Sequence, residues 1–200
     1  MISKLGSASF AAVLALLLAS CGGGEGGGIG GTGSPSTLGT LNVLLTDAPA
    51  CGYDAVNVTV EKVRVHMTSS AEDADAGWSE VVLNPSRRFN LLDLMNGVTA
   101  NLGQTALPPG KYTQLRLVLT DNDSANPLAN SVVPTGGTEA ALTSSAATET
   151  GLKVKVDIDV VANRITDVFV DLDACTSVVR RGGTGEYALT PVLSVSSAIR

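Results

Sequence analysis

The sequence is short of the side chains that most chemistry needs. In 200 residues there is one histidine, His66, one tryptophan, Trp78, and only three each of tyrosine and phenylalanine. Histidine-rich metal sites, several histidine-dependent dyads and aromatic-walled cofactor pockets are therefore disfavoured from the start. Basic residues are also few, 13 Lys and Arg against 19 Asp and Glu, for a formal charge of −6. Binding to a polyphosphate backbone needs a basic footprint, so nucleic acid is excluded as an expected partner. No G-x-S-x-G elbow occurs to present a serine nucleophile. The glycine-rich stretch near the N-terminus lacks the following Lys-Ser/Thr of a phosphate loop. Long apolar runs are missing as well: the unbroken run Phe10 to Ala19 has ten residues. A bilayer core needs about 20 helical residues, so this run does not span a membrane.

Ten residues is the length of a signal-peptide core, and Lys4 supplies its positive flank. The run ends in Leu18-Ala19-Ser20-Cys21, which resembles the lipobox of bacterial lipoproteins. That resemblance implies cleavage before Cys21 and acylation of its thiol and new N-terminus. One acyl chain binds membranes only marginally, but several on one residue hold it durably. By resemblance to the sorting rule of enterobacterial lipoproteins, in which Asp after the cysteine implies inner-membrane retention, Gly22 implies the outer membrane. Ten of the 22 glycines fall between residues 22 and 39, a composition that behaves as flexible coil. The expected organisation is a leader over 1–20, a lipidated cysteine and tether over 21–37, and a folded domain over 38–200. Removal of Lys4 with the leader makes the mature chain more acidic still.

The folded part alternates with a period of two. Leu41, Val43 and Leu45 form one apolar face before the Asp47-Ala48-Pro49 turn. Val56, Val58 and Val60 form another, after which the phase slips and Val63, Val65 and Met67 carry it, so a bulge or sharp bend is predicted at Glu61-Lys62. Trp78 to Leu83 reads as a strand, and Phe89 to Met95 as a strand or one or two helical turns. Leu107-Pro108-Pro109-Gly110-Lys111 is a tight turn feeding a strand over Tyr112 to Thr120. Residues 121–150 are small and polar and read as a surface excursion with at most short edge strands at Ser131–Val133 and Ala140–Leu142. Leu152 to Val160 alternates with Lys and Asp as a half-buried antiparallel strand does. Val168 to Asp173 and Tyr187 to Val195 complete the set. Eight or nine short strands without a long helical pattern predict an all-β, antiparallel, Greek-key-type sandwich.

With Cys21 acylated, Cys51 and Cys175 remain, and in an oxidising envelope an even pair flanking strands reads as a disulfide. Taken in order, Gly39-Thr-Leu-Asn-Val-Leu-Leu-Thr-Asp-Ala-Pro49, VNVTVEKVRVH, Gly77-Trp78, NLLDLMNG, LPPGKYTQLRLVL, VFVDLDA and YALTPVLSV resemble an uncharacterised domain family of bacterial envelope lipoproteins. The turn before Tyr112 is also similar to one in prealbumin-like and starch-binding-like sandwiches, an analogy of fold that assigns no ligand. The family resemblance implies no activity and no catalytic residues.

Candidate chemistry therefore rests on individual residues. His66 falls opposite Val65 and reads as a solvated strand residue. Calcium prefers oxygen ligands from loops, and two sets qualify. Asp121, Asp123 and Asn126 have alternating oxygen ligands but lack the closing Glu and the central Gly of a calcium loop. Asp47 in its turn, with Asp171 and Asp173 on one strand face, forms a second set. Ordinary turn capping and surface solubility explain both sets equally. For sugar stacking, Trp78 and Tyr112 are the principal platforms, with Tyr53 and Tyr187 behind them, though each also suits a core or rim. No resident cofactor is expected, with Ca²⁺ as the sole candidate. The expected function is a lipid-anchored, non-enzymatic binding or structural sandwich in the envelope, meeting a polysaccharide or a surface protein. The alternative is a small hydrolase acting on envelope polysaccharide, for which 19 acidic residues permit carboxylate pairs without singling one out.

Overall fold

The structure is a computed structural model that describes residues 37–48, 52–144, 147, 149–182 and 185–200. The leader, Cys21, the glycine tether and Cys51 lie outside the described residues. Among the described residues twelve strands follow in order: β1 (Gly39–Thr46), β2 (Tyr53–His66), β3 (Ser79–Asn90), β4 (Ala100–Leu107), β5 (Gly110–Leu119), β6 (Ser131–Pro134), β7 (Ala140–Thr143), β8 (Leu152–Val160), β9 (Ile165–Leu172), β10 (Val178–Arg180), β11 (Tyr187–Leu189) and β12 (Leu193–Ile199). A 3-10 turn over Leu91–Leu94 and a helical turn over Ala174–Ser177 are short exceptions. No helix among the described residues is long and apolar enough to cross a membrane.

Two sheets enclose one core. The smaller runs β12-β9-β1-β4, and the larger runs β10-β11-β7-β6-β2-β5-β8 with β3 paired to the other side of β2. Alternation drives this arrangement, because every second side chain of a strand points to one face. Val43 and Leu45 of β1 and Val168, Val170 and Leu172 of β9 are fully buried from one sheet. Val56, Val58 and Val60 of β2 and Leu115 and Leu117 of β5 meet them from the other. At the corners β12 runs beside β8 and β4 beside β3, so the margins of the small sheet lie against strands of the large one.

Four expectations change. The sheets are mixed rather than antiparallel, because β1 pairs parallel with β9 and β11 pairs parallel with β7. Alternation reports which face a strand buries, and says nothing about the direction of its neighbour. The strand count rises to twelve, partly because Pro191 separates β11 from β12. The 121–150 excursion is not peripheral: β6 lies between β2 and β7 inside the large sheet, with Val132 fully buried. Met67, predicted to extend the buried face of β2, lies past the strand's end and is 44% exposed.

The predicted irregularity at Glu61 is present, and it organises the site. Both β3 and β5 shift register against β2 between Val60 and Lys62. On one edge β2 pairs first with β6 over Tyr53–Asn57, then with β5 over Val60–His66. One strand thus feeds two partners, and the sheet forks where they diverge. The side chain of Asn130, 3% exposed, bridges the fork: its Oδ1 accepts from Thr59 N (2.9 Å) and its Nδ2 donates to Thr120 O (2.7 Å). Asn122 braces it, accepting from Asn130 N (2.7 Å) and donating to Asn130 O (3.0 Å) and Leu142 O (3.2 Å). Amides carry a donor and an acceptor on one planar head, so they can replace ladder bonds that the fork leaves unmade.

Candidate functional site

Over the fork lies an open cleft of about 490 Å³, lined by Thr59, Ser86, Arg88, Thr120 and residues 125–129. Its floor is Thr59, which alternates with buried Val58 and Val60 and so points outward. Thr59 Oγ1 donates to Ala129 O (2.5 Å), tying the 125–129 wall to β2. The opposite wall comes from β3, where Leu83 to Ser86 loop out of register opposite Glu61 and bring Ser86 beside Arg88. Arg88 pairs with Thr59 across β2 and β3. Its Nη2 donates to Ser131 Oγ (2.8 Å) and Glu139 Oε1 (2.5 Å), and Ser131 Oγ donates to the same carboxylate oxygen (2.5 Å). The Ser131 hydroxyl and then Arg88 hold the Glu139 carboxyl below its ordinary range. Among the described residues the Arg88 side chain makes no other hydrogen bond, and it is 43% exposed. A directed cation, hydroxyls and the apolar Pro127 and Leu128 thus share one concavity, the mixture typical of small-molecule sites.

Of the two predicted calcium sets, the first is an Asx turn. Asp123 Oδ1 accepts from the backbone N of Ala125 (2.8 Å) and Asn126 (2.6 Å), and Asp123 N donates to Asn126 O (3.3 Å). The carboxylate closes its own loop, as Asp commonly does in turns. Neither Asp121 nor the Asn126 side chain joins it in a ligand shell, and among the described residues no three His, Cys, Asp or Glu side chains are placed to hold a metal ion.

The second set is brought together, but not as the solvent-facing patch that alternation implied. Asp47 is 5% exposed; its Oδ1 accepts from Ala174 N (2.9 Å), and its Oδ2 is buried without a hydrogen-bond partner. Asp171, aligned with Thr46 across the parallel β1–β9 pair, likewise buries an unpartnered Oδ1. Asp173 caps the Ala174–Ser177 turn, accepting from Thr176 N (2.9 Å). Burial pushes the Asp47 carboxyl up to about 6, with the Ala174 bond opposing and the Asp171 charge adding to the rise. Burial and the Asp173 charge raise Asp171 as well. No Lys or Arg forms an ion pair with any of the three among the described residues.

The predicted stacking platforms are occupied by the protein itself. Tyr112 is 2% exposed in the core, and its hydroxyl donates to Pro108 O (3.1 Å), fastening the Pro-Pro-Gly turn to β5. Trp78 lies 4.5 Å from the Arg64 guanidinium and 4.7 Å from that of Arg116, its Nε1 donating to Glu72 O (2.9 Å). Tyr53 and Tyr187 meet edge to face at 6.5 Å. His66, the half-buried last residue of β2, also acts as a staple: Nδ1 accepts from Thr68 N (2.8 Å) and Nε2 faces Ala76 O (2.9 Å). Those two bonds set the tautomer and leave neither nitrogen for a substrate. Arg116, 3% exposed, donates to Ala71 O (2.8 Å) and Thr150 O (3.1 Å), completing the clasp on the 67–77 loop. Sequence reading missed the role of Arg88, Asn122 and Asn130, which lie far in sequence from the slip at Glu61 and meet it only through the pairing of β3 and the return of the 120–131 segment to β2.

The expected Cys51–Cys175 bridge is not found as a pair among the described residues. Cys51 lies outside them, and Cys175, the one described cysteine, is disulfide-bonded.

The geometry defines an all-β domain of two mixed sheets with a cleft over a forked strand. Residues 38–191 match the family described as Domain of unknown function (DUF4382), and the chain belongs to that family. No curated protein and no solved structure matches it.

Proposed function

We propose that the chain is a lipid-anchored protein of the bacterial cell envelope, held at the outer membrane through Cys21 and the 22–37 tether, whose β-sandwich is a non-enzymatic binding module. The cleft over the β2 fork carries this reading, since its floor, Thr59, and one wall, Ser86 and Arg88, are strand residues, and the 125–129 loop that forms the other wall is tied to β2 by the Thr59–Ala129 bond. A site held in place before the ligand arrives binds with little ordering cost.

Hydrolysis fits the geometry less well. Asp47 and Asp171 are the paired carboxylates with raised pKa that a glycosidase would use. Yet Asp47 Oδ2 and Asp171 Oδ1 are both buried from solvent, so these oxygens cannot reach a glycosidic bond. The ligand is a polysaccharide or a surface protein of the envelope. The test is a thermal-shift series on the detergent-solubilised full chain with separate polysaccharide and protein fractions of the envelope. A rise with one fraction is expected, and no shift with any of them overturns the binding reading. Cys21→Ser should release the chain from membranes; retention through a high-salt wash would contradict the anchor.

A further inference from the structure

We infer that the cleft over the β2 fork takes a carboxylated sugar unit, with Arg88 receiving the carboxylate. This inference rests on the reading of the domain as a binding module and names the ligand class of its cleft.

Among the described residues Arg88 is the only charged one in the lining, and no carboxylate lines the cleft beside it. Its contacts with Glu139 and Ser131 both run through Nη2. That bond pair fixes the guanidinium plane while its Nε and Nη1 keep donors for a second acceptor. Arginine presents its donors in a planar fork that matches a carboxylate. The remaining lining suits a sugar ring: Ser86 and Asn126 are exposed polar groups, and Pro127 and Leu128 offer an apolar wall to the C–H face.

Whole-molecule charge narrows the class further. With 13 basic and 19 acidic residues the chain is net acidic, which repels a densely charged polyanion at long range. The occupant that fits carries an isolated carboxylate on an otherwise neutral, hydroxyl-rich frame.

The experiment is calorimetric titration of the detergent-solubilised full chain with a glucuronic-acid-containing disaccharide. The same disaccharide with its carboxyl reduced to the alcohol is titrated in parallel. The carboxylated form is expected to bind at least about tenfold more tightly, the usual worth of a charge-assisted hydrogen bond. Arg88→Gln should abolish that preference. Because Arg88 also supports Ser131 and Glu139, a second variant leaves those contacts alone. Ser86→Glu places a carboxylate at an exposed lining position and should weaken the carboxylated form while sparing the reduced one. Equal binding of the two sugars, or a preference that survives both substitutions, overturns the carboxylate assignment and leaves the binding reading standing. Binding of neither sugar also overturns the assignment, and the envelope-fraction series then decides the broader reading on its own.

Discussion

Asp47 should make the domain less stable as pH rises through the range where most proteins are most stable. Its carboxyl is raised from 3.8 to about 6 in the fold, chiefly because burial penalises the charged form. A carboxyl raised on folding favours the native state while protonated. That stability is fully present below pH 4 and is lost as pH climbs through about 6. A shift of about two units corresponds to about 3 kcal/mol at neutral pH. Asp171 shifts in the same direction for the same cause. Asp47→Asn keeps an oxygen for the Ala174 N–H and replaces the unpartnered Oδ2 with a donor beside the Asp171 carboxylate. Asp47→Asn should therefore be more stable than the parent at pH 7.5 by about 1–3 kcal/mol, with the difference vanishing near pH 4. Urea unfolding followed by fluorescence of the single tryptophan, Trp78, at a series of pH values reads this directly. Taking the variant-minus-parent difference removes other groups, such as Asp167, whose carboxyl is lowered by hydrogen bonds from Arg200 and Asn42. A variant that is less stable at pH 7.5, or whose difference from the parent does not change with pH, refutes the reasoning.

Asn130→Ala removes the bridge across the β2 fork and strands Thr59 N and Thr120 O; a loss of about 2–4 kcal/mol is expected by the same urea assay. Tyr112→Phe deletes only the bond to Pro108 O and should cost about 1 kcal/mol, with faster amide exchange at the 107–111 turn. Gly39→Ala would place a Cβ 2.4 Å from Val161 O, so the start of β1 must move, and a loss of about 1–3 kcal/mol in urea midpoint analysis is expected.

How much of this was legible in the sequence differs by level. The faces of β1, β8 and β9 follow from strict alternation, and the slip after Val60 located the irregularity at Glu61 correctly. Partner choice was invisible: nothing in residues 39–46 indicates that their neighbour lies near residue 168, or that it runs parallel. The two short strands within 131–143 are legible in the sequence, but only as edge strands; their place inside the large sheet is not, because Ser131 and Glu139 look like surface residues until Arg88 joins them. Asp47 was recognised as a turn residue, but its burial depends on β9 and the Ala174 turn closing over it. For Trp78 and Tyr112 the sequence leaves a stacking platform and a core or rim position both open, and the structure decides for guanidinium contacts and a core position.

The parallel pairing of β1 with β9 also bears on when the domain can form. Thr40 aligns with Ile165, and Asn42 donates to Asp167 across 125 residues of sequence (2.6 Å). β12, the last strand, closes the outer side of β9. The first strand therefore meets one neighbour, β4, at residues 100–107, but waits for residues 165–172 before its parallel neighbour β9 exists. Contacts this distant in sequence make folding slow and late. In the export proposed above, that delay would keep the small sheet open until β9 and β12 had followed.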